Sequence, residues 1–148
     1  MKKIVFVCWG NICRSPMAEF VMKDKVKKAG LEDFFEIDSR ATSREEEGNG
    51  IHYGTRRVLD DKNIPYTRHY ATVITRSEYD YYDIIVSMDD INTRRLKNLF
   101  DGDPKNKVRP MLPSRDVADP WYTGNFEVPY RDVDYGCEEL LRELTEKN

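Results

Sequence analysis

Two side chains near the start of the chain have the types and spacing to handle phosphate. Cys8 offers a thiolate, a strong nucleophile, and Arg14, five intervening residues later, offers paired N–H donors that match phosphate oxygens bidentately. Between and beyond them run Trp9, Gly10, Asn11, Ile12, Cys13 and Ser15, a short polar stretch whose backbone N–H groups could ring an anion. Gly10 and Asn11 are the residue types that most readily take left-handed backbone angles, as an inward-turned nest requires. Ser15 reads as a helix N-cap, Pro16 as the first helical residue, and Glu19 as a carboxylate near the positive end of the helix dipole. An apolar strand, Val5-Phe6-Val7, therefore feeds a loop closed by a helix N-terminus, and the thiol lies where positive potential favours its anionic form.

A second group lies far along the chain, at Asp119-Pro120-Trp121-Tyr122. A thiolate that accepts a phosphoryl group needs a partner to protonate the leaving oxygen and later activate water, and one mobile carboxyl serves both steps. Asp-Pro begins turns in many settings, so it is the combination with Cys8 and Arg14 that singles out Asp119. Trp121 and Tyr122, in a polar loop, are expected to form a wall for an aromatic ring.

These residues need a scaffold. The 148 residues suit one domain, large enough to bury ~70% of the surface of its unfolded chain without disulfides or metal. The charged fraction is 34% and nearly balanced at a net charge of −3, with no basic block, which argues against nucleic acid as a partner. The apolar run after Met1-Lys2-Lys3 ends at Trp9, too short for a secretion signal core, and no stretch is long enough for membrane insertion. Three cysteines in this arrangement fit a reducing compartment, so a cytoplasmic location is expected. The candidate ligands do not assemble a zinc site, and no metal or cofactor is called for.

Apolar periodicity predicts a helix over 16–29 ending at Gly30, a strand over 34–38, a loop over 39–50 and a helix over 54–62. An extended piece is expected at 69–74, a buried strand at 82–88, a helix at 89–100 and a strand at 108–112. A long loop over 113–130 and a helix over 133–146 complete the chain. The strand–helix rhythm implies right-handed crossovers and a single-domain α/β fold: a four-stranded, mostly parallel sheet with helices on both faces, and the phosphate-binding loop after the first strand. Ligands of such sheets bind beyond the carboxyl ends of the strands, where Cys8 lies.

The pattern Cys-x5-Arg-Ser resembles the signature of cysteine-dependent phosphatases. The fuller string Val7-Cys8-x-Gly10-Asn11-x-Cys13-Arg14-Ser15-Pro16-x-Ala18-Glu19 resembles the low-molecular-weight protein tyrosine phosphatases, and the likeness extends over nearly the whole chain, 1–148. It implies hydrolysis of phosphotyrosine in proteins or peptides through a phosphocysteine, with Cys8, Arg14 and Asp119 catalytic and the chain acting as a monomer. It also implies supporting roles for Asn11, Ser39 and His69 in holding the loop, and a capping role for Asp89. His52 is assigned to the surface. Trp9 is bulkier than the aliphatic residue common after the nucleophile, and Glu45 stands where several members carry an aromatic on the pocket rim. Arsenate reductases are similar in fold and loop but shuttle a disulfide through further cysteines, and here only Cys137 follows. Arginine phosphatases are similar in the same loop but carry threonine at the position of Ile12. Cys8 and Cys13, facing across a tight loop, are expected to form a reversible disulfide after peroxide, which makes Cys13 a redox residue.

Overall fold

The computed structural model describes residues 1–146; Lys147 and Asn148, the end of the expected 1–148 domain, lie outside the described residues. Four strands, β1 (Lys2–Cys8), β2 (Phe35–Ala41), β3 (Ile84–Ser87) and β4 (Val108–Pro110), form one sheet in the order β2-β1-β3-β4. Every pairing is parallel, with Phe6 opposite both Ser39 and Val86. The chain runs from β1 to β2 on one side and then crosses back past β1 to β3 on the other, so the end of β1 is the switch point at which such sheets open a crevice. Cys8 is its last residue.

The central strand is apolar without alternation because it is covered on both faces: Ile4 to Val7 are all fully buried. Ile4 and Phe6 pack under α1 (Arg14–Lys28) and α6 (Glu127–Thr145), with Met17, Met22, Val133 and Leu140. Val5 and Val7 face Tyr82, Leu96 and Phe100, below α4 (Asp90–Leu99). A short helix, α2 (Tyr53–Asp61), flanks α1 through Leu59 and Val58, and two one-turn helices, α3 (Glu78–Tyr81) and α5 (Pro120–Thr123), sit in connections.

Several expectations shift. Residues 69–74 form no strand, only isolated bridges at Tyr70 and Val73. The final helix starts at Glu127, six residues before the expected 133, because Asn125 Oδ1 accepts from the N–H groups of Glu127 and Val128 and caps it early. Pro129 is tolerated there because it lies in the first turn, where the N–H that proline lacks would have no intrahelical acceptor. The expected 113–130 loop is accordingly shorter and contains α5.

Candidate active site

The loop from Cys8 to Ser15 is held from outside by its carbonyls. Trp9 O accepts from Ser43 N, Asn11 O from His69 Nε2 at 3.2 Å, Ile12 O from His52 N, and Cys13 O from Met17 N and Thr55 Oγ1. All peptide bonds among the described residues are trans, and in a trans peptide the following N–H points opposite the carbonyl. The N–H groups of Gly10, Ile12, Cys13 and Arg14 are thereby turned inward around the Cys8 thiol. Asn11 N donates to Cys8 Sγ at 3.3 Å, and Ser15 Oγ lies 3.1 Å from the same sulfur.

Only one of the two expected left-handed residues takes that conformation. Asn11 has φ 59°, whereas Gly10 does not lie in the left-handed region. Space is tight at Gly10: a Cβ there would meet Glu46 Cγ at 3.2 Å, and that side chain would have to give by a few tenths of an ångström. Asn11 supports its own strain, its Nδ2 donating to Ser15 Oγ at 2.7 Å and its Oδ1 accepting from Thr72 N at 3.1 Å. Ser15 is not the N-cap. The helix begins at Arg14 with Cys13 before it, and the Ser15 hydroxyl turns instead to the nucleophile.

Ser39 acts at one remove. Its hydroxyl donates to Glu19 Oε1 at 2.6 Å, and that carboxylate stands 3.8 Å from His69 Nδ1. Because Asn11 O only accepts, the proton on His69 sits on Nε2. Glu19, expected as a dipole partner, thus lies between Ser39, whose hydroxyl donates to it, and His69, and also pairs with Lys23.

Arg14 is buried and gripped on three sides. Nη2 donates to Asp89 Oδ2 at 2.9 Å, Nη1 to Val117 O at 3.0 Å, and Asp119 Oδ2 lies 3.5 Å from Nη2. Burial works against its charge, but the charges of Cys8, Asp119 and Asp89 outweigh it and hold the guanidinium above its ordinary pKa. Asp89 caps α4 as expected, through Oδ1 to Asn92 N, and its other oxygen adds the ion pair with Arg14. Cys13, beside the nucleophile, has its thiol pushed up to about 12, first by burial and then by the charges of Cys8 and Asp119.

Cys8, Trp9, Gly10, Cys13, Arg14 and Asp119 share one cavity of about 360 Å³. Its rim carries Glu45, Ile91, Trp121 and Tyr122, the last two 61% and 85% exposed. Ile12 is not part of the wall: its side chain packs with Ala71 and Phe126 behind the loop, leaving only its N–H for an anion. His52, assigned to the surface, is a junction. Its Nδ1 accepts from Gly54 N, and its ring stacks on Phe126 at 5.1 Å and on Tyr53 at 4.9 Å. Both partners of His52 with structural weight, Ile12 O and Phe126, are distant in sequence, and His-x-Gly-Thr ahead of an apolar helix was the only local hint of a cap.

A thiol under inward N–H groups, with a buried arginine and a carboxyl across the same cavity, has the layout of the cysteine-dependent phosphatases. Residues 3–148 match the family model described as low molecular weight phosphotyrosine protein phosphatase, and the chain belongs to that family. It is similar to the low molecular weight protein-tyrosine-phosphatase YfkJ of Bacillus subtilis, 35% identical over 150 residues, covering 97% of this chain and 96% of YfkJ. The crystal structure of YfkJ aligns with a TM-score of 0.95 at 34% identity, over 100% of this chain and 98% of that one. That of SP-PTP, the low molecular weight protein tyrosine phosphatase of Streptococcus pyogenes, aligns at 42% identity and a TM-score of 0.92, over 99% and 95%.

Proposed function

We propose that this enzyme hydrolyses phosphotyrosine in proteins through a phosphocysteine, with Cys8, Arg14 and Asp119 as its catalytic residues. The observation that carries this reading is their convergence on one cavity, Asp119 Oδ2 being 3.5 Å from the arginine that borders Cys8. The thiolate attacks phosphorus in line while the N–H groups of Gly10, Ile12, Cys13 and Arg14 and the guanidinium hold the equatorial oxygens. Asp119 gives its proton to the departing tyrosyl oxygen as the P–O bond breaks. In the second step Asp119 takes a proton from water, the water oxygen attacks phosphorus, and the thiolate leaves. Ser15 Oγ, 3.1 Å from the sulfur, donates to it as it departs.

Trp121 and Tyr122 favour a flat aromatic ring at the mouth, and a buried nucleophile (3% exposed) favours the long reach of tyrosine over serine or threonine. Three free cysteines support work in a reducing cytoplasm, as a monomer on phosphotyrosine proteins. A relay of the arsenate reductase kind has no support: Cys137 is buried in α6 with its sulfur against Ala18 O, far from the cavity lining.

Matched peptides bearing phosphotyrosine, phosphoarginine, phosphoserine and phosphothreonine provide the test. Phosphotyrosine is expected to give the highest kcat/KM, and Cys8→Ser is expected to abolish turnover while still binding vanadate. A parent enzyme that prefers phosphoarginine would overturn the substrate, and a Cys8→Ser variant with residual turnover would overturn the nucleophile.

A further inference from the structure

The rim of the cavity carries charges of both signs. The Trp9 indole is locked in place: its Nε1 donates to Glu45 Oε2 at 3.0 Å, and the Arg95 guanidinium covers its face at 4.5 Å from the ring centroid. Arg95 is itself tied down, Nη2 donating to Thr42 O at 2.7 Å, and Thr42 N in turn donates to Cys8 O. In α4 it lies one turn beyond Ile91 and Asn92, both of which line the cavity, and so on their face of the helix. Its neighbour Arg94 is paired with Asp90, but among the described residues no carboxylate forms an ion pair with Arg95. A guanidinium held by a ring face and a backbone carbonyl, beside the substrate wall and without an ion-pair partner among the described residues, has part of its ordering cost already met.

Glu45 and Glu46 line the same mouth, Glu45 at the edge of the Trp9 ring that Arg95 covers. Glu46 lies beside Gly10, and among the described residues its carboxylate accepts from the neutral Asn49 amide at 2.6 Å and forms no ion pair.

We propose that Arg95 is a specificity-determining residue, which takes the carboxylate of an aspartate or glutamate flanking phosphotyrosine on one side only. The inference rests on the phosphotyrosine reading above. Trp9 serves as the platform that aims the guanidinium.

The test is kcat/KM for phosphotyrosine peptides that carry glutamate or alanine at each adjacent position in turn, with free phosphotyrosine measured in every variant to register general damage. In the parent, glutamate at one flank is expected to gain ~3–5-fold over alanine, the range of a well-formed exposed ion pair, and to lose that gain in high salt. Arg95→Ala should bring the ratio to about one, Arg95→Glu should invert it, and Arg95→Lys should keep part of it. A preference that survives in Arg95→Ala, or a parent indifferent at both flanks, overturns the assignment of Arg95 alone. Failure to turn over any phosphotyrosine peptide would instead overturn the phosphatase reading.

Discussion

The two loops that build the cavity are made in opposite ways. The 8–15 loop is buried, its carbonyls are taken by donors from four separate segments, and Asn11, Arg14 and Ser15 are almost wholly inaccessible to solvent. The loop carrying Asp119 is exposed. Asp119 Oδ1 accepts only from Trp121 N two residues on, and α5 ends at Gly124 in a left-handed turn. It is fixed just before Asp119, where buried Val117 donates to Met88 O and accepts from Arg14 and Asp132 receives Arg115 and Ala118 N, and again at Phe126, wedged beside His52. The step that stabilises charge on phosphorus needs donors that do not move, whereas the acid must approach leaving groups of varying size, so rigidity is concentrated where preorganisation matters most.

The sharpest break in that contrast is chemical damage to the rigid half. While Cys8 is a thiolate its charge helps hold the Cys13 thiol near a pKa of about 12, although burial is the larger cause. Peroxide converts the thiolate to a sulfenic acid, which is neutral, and that restraint on Cys13 is lifted. Attack by Cys13 sulfur on Cys8 sulfur then forms the S–S bond, and the sulfenic oxygen leaves as water with the Cys13 proton. Closure should quicken as pH rises, because the Cys13 thiolate fraction grows up to its pKa. Peroxide-treated parent enzyme is expected to recover fully with a thiol reductant, and Cys13→Ser to lose recovery entirely. Equal recovery of the two would show that no protective bond forms.

The mobile half is tested by leaving group. Asp119→Ala should lower turnover of phosphotyrosine by about 10²–10⁴, the range general acids supply, and should cost far less with an aryl phosphate whose phenol is acidic. A loss equal across leaving groups would remove Asp119 from the acid role.

How much of this was legible follows the same division. The nucleophile, the arginine and the strand–helix rhythm sit in contiguous residues, where spacing and periodicity carry the information. A mostly parallel sheet was expected from the strand–helix rhythm and from the apolar runs of β1 and β3, which burial on both faces explains, and every pairing among the four strands is parallel. The misreadings involve partners distant in sequence. Ser15 has the type of an N-cap, but a thiol seven residues earlier competes for its hydroxyl. Glu19 looked like a dipole partner until Ser39 and His69 folded against it. His52 seemed unpartnered because its ring partner, Phe126, arrives from the other end of the chain. The contrast of Ile12 with the threonine of arginine phosphatases rests on a side chain that turns away from the cavity, and a period-based reading cannot tell the front of a loop from its back.

The smallest expected effect isolates the anchor between the two halves. Phe126 packs on Ile12 behind the phosphate loop and over Gly54 at the start of α2, so close that a Cβ on Gly54 would come within 2.4 Å of the phenyl ring. Gly54→Ala must therefore displace the ring. The cost to stability should be about 1–3 kcal/mol, as for other overpacked sites, and appears as a lower denaturant midpoint with an unchanged slope. Phe126 also ends the segment that bears Asp119, so the displaced ring should shift the acid more than the loop, whose other bonds are untouched. Turnover of phosphotyrosine should fall several-fold further than turnover of an aryl phosphate with an acidic phenol, while vanadate affinity changes less than either. Pairing Gly54→Ala with Phe126→Leu, which removes the clash, should restore the leaving-group ratio. If the double variant keeps the altered ratio, the ring does not position the acid, and the mobility of the Asp119 loop is set within residues 113–125 alone.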